Sequence, residues 1–278
     1  TETENDLTVK ANKRTFIFSK KDGQLKGVSV DNRKINFANG PRFIGARRAD
    51  RSLDQFYNHD DEKAKEKDRT YSEFPDAAVF TKLDVKEDGG NLVVTANYKL
   101  GNLDKAQWTI NPSGDLALDY TYNFSGVVDL MGIRFDYPED QVISKRWLGA
   151  GPYRVWQNRI HGTQYDVWEN DYNDPIPGET FTYPEFKGYF GDVSWMNIQT
   201  KEGTISLTNE TPDTYIGVYQ PRDGRDRLLY TLPESGISVL NVIPPVRNKV
   251  NSTDLCGPSS QPKWVNGPQT GRVIFRFM

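Results

Sequence analysis

The densest run of side chains able to do chemistry lies between Trp147 and Trp195, with Trp156 and Trp168 inside it. At its start stands Trp147-Leu148-Gly149-Ala150-Gly151-Pro152-Tyr153-Arg154-Val155-Trp156-Gln157-Asn158-Arg159. Gly149 and Gly151 around a small residue, followed by Pro152, allow a tight turn or a close backbone approach. Tryptophan and tyrosine offer an apolar face with a polar handle, which suits stacking on a sugar ring. Asn158 and Arg159 add planar polar groups that bond hydroxyls or carboxylates in pairs. That chemistry is recognition rather than bond breaking. The same residues admit a structural reading: Trp147, Trp156 and Trp195 as core or interdomain packing, and Arg159 paired with Asp166 or Asp171.

Other reactive groups lack company. Glu185 is one of 38 acidic residues, and nothing in the sequence fixes a partner for it as a general base. The two histidines, His59 and His161, are too few and too far apart for metal-ligand spacing. Asp171 and Asp174 sit in a Pro-Gly-rich loop, where such residues serve turns more often than calcium. Cys256 is the single cysteine, so no internal disulfide forms, and no histidine near it in sequence activates the thiol. Asn123, Asn209 and Asn251 begin glycosylation triplets, a pattern that arises often by chance. No cofactor and no metal are expected.

The elements that must position these groups are strands. Leu116, Leu118, Tyr120, Tyr122 and Phe124 are apolar at every second position, with Asp119, Thr121 and Asn123 between them, as in a half-buried antiparallel strand. Leu92 to Tyr98 reads the same way after the turn Gly89-Gly90. Thr15–Phe18, Leu25–Val30, Ile133–Tyr137, Thr204–Thr208, Ile237–Ile243 and Arg272–Phe277 add short strands. The pairs Asp22-Gly23, Asn39-Gly40, Pro177-Gly178, Asp223-Gly224 and Asn266-Gly267 punctuate them. Val246 to Gly271 reads as the longest strand-poor stretch. Helical signal is confined to residues 53–68, a charged insertion loop or short helix with no apolar face. Many short strands separated by turns imply an all-β sandwich, taken here as one domain over residues 1–278.

Composition bounds the partners. With 35 basic against 38 acidic residues and a net charge of −3, no positive stripe exists for a nucleic-acid backbone. No apolar run is long enough for a membrane span, and a soluble chain is expected. Thr1 in place of Met points to a processed or excised segment, with no signal-peptide layout near it. The lone cysteine leaves the compartment open, a bacterial periplasmic or secreted location included.

The block from Trp147 to Arg159 resembles a stretch in the C-terminal domain of family 2 β-galactosidases, Trp-Phe-Gly-Arg-Gly-Pro followed by Glu-Asn-Tyr-Pro-Asp-Arg. Trp147, Gly149, Gly151, Pro152 and Arg159 match; Trp156 falls on an aromatic position and Asn158 replaces Asp. Ala150 stands for Arg, and Arg154-Val155 for Glu-Asn. Two further stretches resemble that family in order. Phe16-x-Phe18, Asp22-Gly23-x-Leu25 and Gly40-Pro41-Arg42-Phe43 to Arg48-Ala49-Asp50 look like the domain's opening. Tyr183-Pro184-Glu185-x-x-Gly188 and Asp192-Val193-Ser194-Trp195 resemble its later segments, with Glu185 one position early. The resemblance implies a large antiparallel supersandwich, galactose mutarotase-like, that follows a catalytic barrel. The catalytic carboxylate pair would then belong to the barrel and not to this chain. It also implies two partners, a carbohydrate and that barrel, with Arg48, Trp147, Tyr153, Arg154, Trp156, Asn158, Arg159, Glu185 and Trp195 as sugar-binding or domain-interface candidates.

Two rival functions follow from the same residues. A free-standing carbohydrate-binding module would carry an open aromatic platform. An aldose 1-epimerase-like enzyme would need a histidine acid and a carboxylate base across a sugar, with His59 and His161 the available histidines.

Overall fold

The computed structural model describes residues 1–48, 71–172, 188–219, 232–245 and 258–278. The charged stretch 53–68 lies outside them. Among the described residues the chain is all-β, two nine-stranded sheets in which every strand pairing is antiparallel. Among the described residues no helix is long and apolar enough to cross a membrane.

Sheet one runs β1 (Asp6–Ala11), β2 (Arg14–Ser19), β3 (Leu25–Val30), β5 (Ala38–Arg48), β11 (Leu130–Asp136), β17 (Ile237–Val242) and β16 (Tyr215–Val218). The short β4 (Arg33–Ile35) and β6 (Tyr71–Glu73) pair with β3 and β5. Sheet two runs β13 (Gln164–Asp171), β12 (Val142–Gly151), β14 (Trp195–Thr200), β15 (Gly203–Asn209), β18 (Lys263–Phe277), β10 (Leu116–Val128), β9 (Leu103–Ile110), β8 (Asn91–Lys99) and β7 (Val79–Asp88).

The period-2 pattern decides which face of each strand is inside. Leu116, Leu118, Tyr120 and Tyr122 of β10 are buried, while Asp119 and Thr121 between them are less so and Asn123 is exposed. The inward faces meet in an aromatic interior. Phe37 stacks on Phe135 with centroids 4.8 Å apart, Phe135 meets Phe275 edge-on at 5.3 Å, and Phe18 meets Trp108 at 6.0 Å. Each such ring contributes about 1.5–3 kcal/mol of burial, and the edge-on contacts add to it.

One expectation is corrected. Residues 246–271 are not strand-poor throughout, because β18 begins at Lys263. The 13-residue β10 needs a partner along its whole length, and β18 pairs with it from Leu116↔Phe275 to Val128↔Lys263. Asn266-Gly267 therefore lies within a strand, with Gly267 at φ +93°. Asn39-Gly40 likewise falls inside β5.

A second, smaller hydrophobic cluster lies outside the shared interior. In β5 and β11 the side chains of Ile44, Ala46 and Leu130 alternate with the inward Phe43, Met131 and Ile133, which places them on the outer face of sheet one. Val155, Trp156 and Tyr189 cover that face together with Leu232 and Ile243. The glycine-rich block thus supplies a lid for the back of sheet one.

Candidate functional site

Trp147 to Arg159 bridges the two sheets. The stretch leaves sheet two at the end of β12 and joins the edge of sheet one. Val155 pairs with Tyr189 through two backbone hydrogen bonds of 2.7 Å, and Phe190 pairs with Ile216 of β16. The glycines make the crossing possible. A Cβ on Gly151 would sit 2.4 Å from the Trp168 ring, and one on Gly188 would sit 1.9 Å from the Val155 carbonyl oxygen.

Beneath the crossing lies a buried cluster of cations and rings. Trp147 is fully buried; its indole N–H donates to the Ala150 carbonyl at 3.1 Å and its ring meets Phe190 edge-on at 4.9 Å. Arg154 is also buried, its guanidinium 5.6 Å from the Phe190 centroid. Lys145 lies 5.9 Å from the same ring and 5.2 Å from Tyr172, and its ammonium donates to the Asp171 carbonyl at 3.0 Å. A buried cation survives only with such company. Trp156 packs edge-on against Tyr189 at 5.7 Å. Burial raises the Tyr189 phenol well above its usual range, so it stays protonated.

Above the crossing the chain turns and presents polar groups. The amide of Arg159 donates to the Trp156 carbonyl at 2.9 Å and the return bond is 3.3 Å, leaving Gln157 and Asn158 at the tip. The Gln157 side chain is buried and donates to the carbonyls of Ser259 and Gln261, at 2.8 and 2.6 Å, which anchors the turn to the last described segment. Asn158 is half-buried, while Arg159, Ile160 and His161 are exposed. Tyr153, half-buried beside them, donates its hydroxyl to the His161 carbonyl at 3.1 Å. These residues form a preorganised polar lip.

The candidates therefore divide. Trp147, Arg154 and Trp156 are interior, whereas Tyr153, Asn158 and Arg159 line the lip. Arg159 forms no ion pair among the described residues, with Asp166 and Asp171 included; Asp166 instead accepts the Val167 amide at 2.7 Å. Trp195 is half-buried at the start of β14, across from Leu148. The backbone of Arg48 pairs with Tyr71 at the end of β5. Glu185 lies outside the described residues, as do Asp174, His59, Asn251 and Cys256.

Sequence reading missed Lys145, Phe190 and Gln157. The signal for Lys145 is the strand period: it shares a face with Trp147 two residues on, so a strand there points both inward. Phe190 sits between Gly188 and Gly191, a spacing that marks close approach on both sides.

The family model for the beta galactosidase small chain matches residues 10–244. No curated protein matches the chain. Among solved structures it is similar to a galactose 1-epimerase from Lactobacillus acidophilus NCFM, at 9% identity and TM-score 0.48, covering 98% of this chain and 94% of that one. A galactose mutarotase-like protein from Lactobacillus casei ATCC 334 is similar at 12% identity and TM-score 0.48, covering 98% and 100%. An alpha-N-acetylgalactosaminidase from Bifidobacterium bifidum is similar at 12% identity and TM-score 0.45, covering 98% of this chain and 36% of that one. Likeness at this level says nothing of chemistry, which resides in sites rather than folds. The family match extends over most of the chain and contains the whole block from Trp147 to Arg159, and on that match the chain is a carbohydrate-related β-sandwich that belongs to the beta galactosidase small chain family.

Proposed function

We propose that this chain is the non-catalytic C-terminal domain of a family 2 glycoside hydrolase of the β-galactosidase type, packing on the catalytic barrel and touching the sugar through the lip of Tyr153, Asn158 and Arg159. The observation that carries this reading is the lip's construction. Arg159 on the lip is exposed and Tyr153 and Asn158 are half-buried, while the crossing beneath them packs on buried Trp147, Arg154 and Phe190. A packed support with an exposed guanidinium that makes no ion pair among the described residues suits an interface that must arrive preorganised.

The rival readings find less support. A binding module with an open aromatic platform would expose Trp147 and Trp156, and both are fully buried. An epimerase-like enzyme would set a histidine against a carboxylate, whereas His161 is exposed on the lip and His59 is outside the described residues.

The reading is tested on the isolated chain with an aryl β-galactoside and on the same chain joined to its barrel. Hydrolysis is expected from the joined protein alone. Turnover by the isolated chain would overturn the proposal.

A further inference from the structure

Strand β7 is the last strand of sheet two, and its outer edge pairs with no strand among the described residues. Such an edge is a row of backbone donors and acceptors able to take up another strand. From Lys82 to Asp88 every residue is exposed except half-buried Leu83, and Val85 is 41% exposed.

The hairpin to β8 decides which backbone groups face outward. Gly89 and Gly90, both at positive φ, form a two-residue turn between the paired Asp88 and Asn91. In such a turn the closing residues exchange both backbone hydrogen bonds, and bonded pairs then alternate along the ladder. Asp88, Lys86, Asp84 and Lys82 therefore bond to β8, opposite Asn91, Val93, Thr95 and Asn97. The N–H and C=O groups of Leu83, Val85 and Glu87 point to the open edge. A register shift between Phe80 and Lys82 ends the regular stretch.

The side chains carry a second pattern. Lys82, Asp84, Lys86 and Asp88 share one face of the strand and alternate in sign. Within the chain Lys82 pairs with Asp84 at 2.8 Å, Lys86 pairs with Asp88 at 3.3 Å, and Asn97 donates to Asp84 at 3.2 Å. All four charged side chains are more than half exposed, so these pairs contribute little by themselves. Lysines on an edge commonly block pairing. Here each lysine has an acid two residues away, and that spacing makes the strand complementary to itself.

Two copies of β7 bond antiparallel only where outward residues meet outward residues, which restricts the register to steps of two. With Val85 opposite Val85 of the second copy, Asp84 meets Lys86 and Lys82 meets Asp88, and the symmetry repeats both pairs. A shift of two residues in either direction sets aspartate against aspartate and lysine against lysine. Opposite charges across a strand pair stabilise it and like charges destabilise it, so the charge order selects one register.

We propose that β7 is a self-complementary docking edge, through which two copies of this chain pair about a twofold axis at Val85 and join their second sheets into one. A twofold pairing is closed, so it makes dimers and not fibres. It uses none of the lip residues, and it stands or falls independently of the function proposed above.

The test is sedimentation velocity of the full chain over a wide concentration range in low salt, where exposed charges are least screened. A monomer–dimer equilibrium is expected. Asp84→Lys sets lysine against lysine and is expected to weaken dimerisation roughly tenfold or more. Asp84→Lys combined with Lys86→Asp restores opposite charges in the same register and is expected to regain the dimer. Both positions are exposed, so the fold should be kept. Hydrogen exchange reads the backbone without a variant. The amides of Leu83, Val85 and Glu87 should slow in the dimer, while those of Asp84 and Lys86, already bonded to β8, should not. A chain that stays monomeric, a dimer that survives Asp84→Lys, no recovery in the double variant, or unchanged exchange at Val85 would each overturn the proposal. Protection of the Val85 amide without dimerisation, in the chain joined to a barrel, would give the edge to the barrel and overturn it as well.

Discussion

The guanidinium of Arg154 lies 5.6 Å from the ring centroid of Phe190, and both residues are buried. Lys145 approaches the same ring at 5.9 Å, and Trp147 meets its edge. A desolvated cation over a ring gains about 2 kcal/mol, which helps offset the cost of taking the charge out of water. Phe190→Leu keeps an apolar side chain but deletes the ring. It is predicted to cost about 2–4 kcal/mol, read from urea unfolding with an unchanged denaturant slope. A variant as stable as the parent would remove the cation–ring contact from the account.

The bridge between Val155 and Tyr189 depends on Gly188, where a Cβ would meet the Val155 carbonyl oxygen at 1.9 Å. Gly188→Ala must push the two bridged segments apart, since the obstacle is backbone. The expected loss is about 1–3 kcal/mol. The amides of Val155 and Tyr189 should exchange with solvent faster than in the parent, and equal protection in both proteins would contradict the bridge.

Glu202 ties the sheets together at the turn between β14 and β15. Its carboxylate accepts from the Asn36 amide at 2.9 Å, the Asn36 side chain and the Tyr137 hydroxyl at 3.0 Å. Glu202→Ala leaves these donors without their acceptor, at an expected cost of about 2–3 kcal/mol by chemical denaturation. By contrast Asp119→Asn, which weakens the partly exposed pair with Arg272, should cost less than about 1 kcal/mol. Reversal of that order would show that the surface network outweighs the inter-sheet tie.

Alkaline pH offers a test of the aromatic interior. Burial raises the phenols of Tyr120, Tyr122, Tyr137 and Tyr189 above the ordinary 10.0. Folded protein then holds protons that the unfolded chain releases above pH about 10, so stability is full below that pH and falls as pH rises further. Absorbance at the phenolate band should show these tyrosines ionising together with unfolding. Gradual ionisation of all 14 tyrosines near pH 10 in folded protein would contradict their burial.

Much of this architecture was legible in the chain. The alternation from Leu116 to Phe124 is sufficient to place β10 and its buried face, because an antiparallel strand covered on one side writes its burial directly into its sequence. Turn chemistry was less dependable. Asn39-Gly40 and Asn266-Gly267 read as turns yet lie in strands, where long-range pairing overrides local preference. At the candidate site, residue types located the block but not the inside from the outside. Trp147 and Trp156 look like sugar platforms and are core. Lys145 looks like a surface residue, and its burial depends on Phe190 and Tyr172, which are remote in sequence.

The most direct test is the catalytic efficiency of the joined barrel and chain, compared with the same protein carrying Asn158→Ala and Arg159→Ala. The account predicts that kcat/KM for a β-galactoside falls by roughly tenfold or more, as expected for lost hydrogen bonds to a charged group. Unaltered kinetics in the double variant would contradict it.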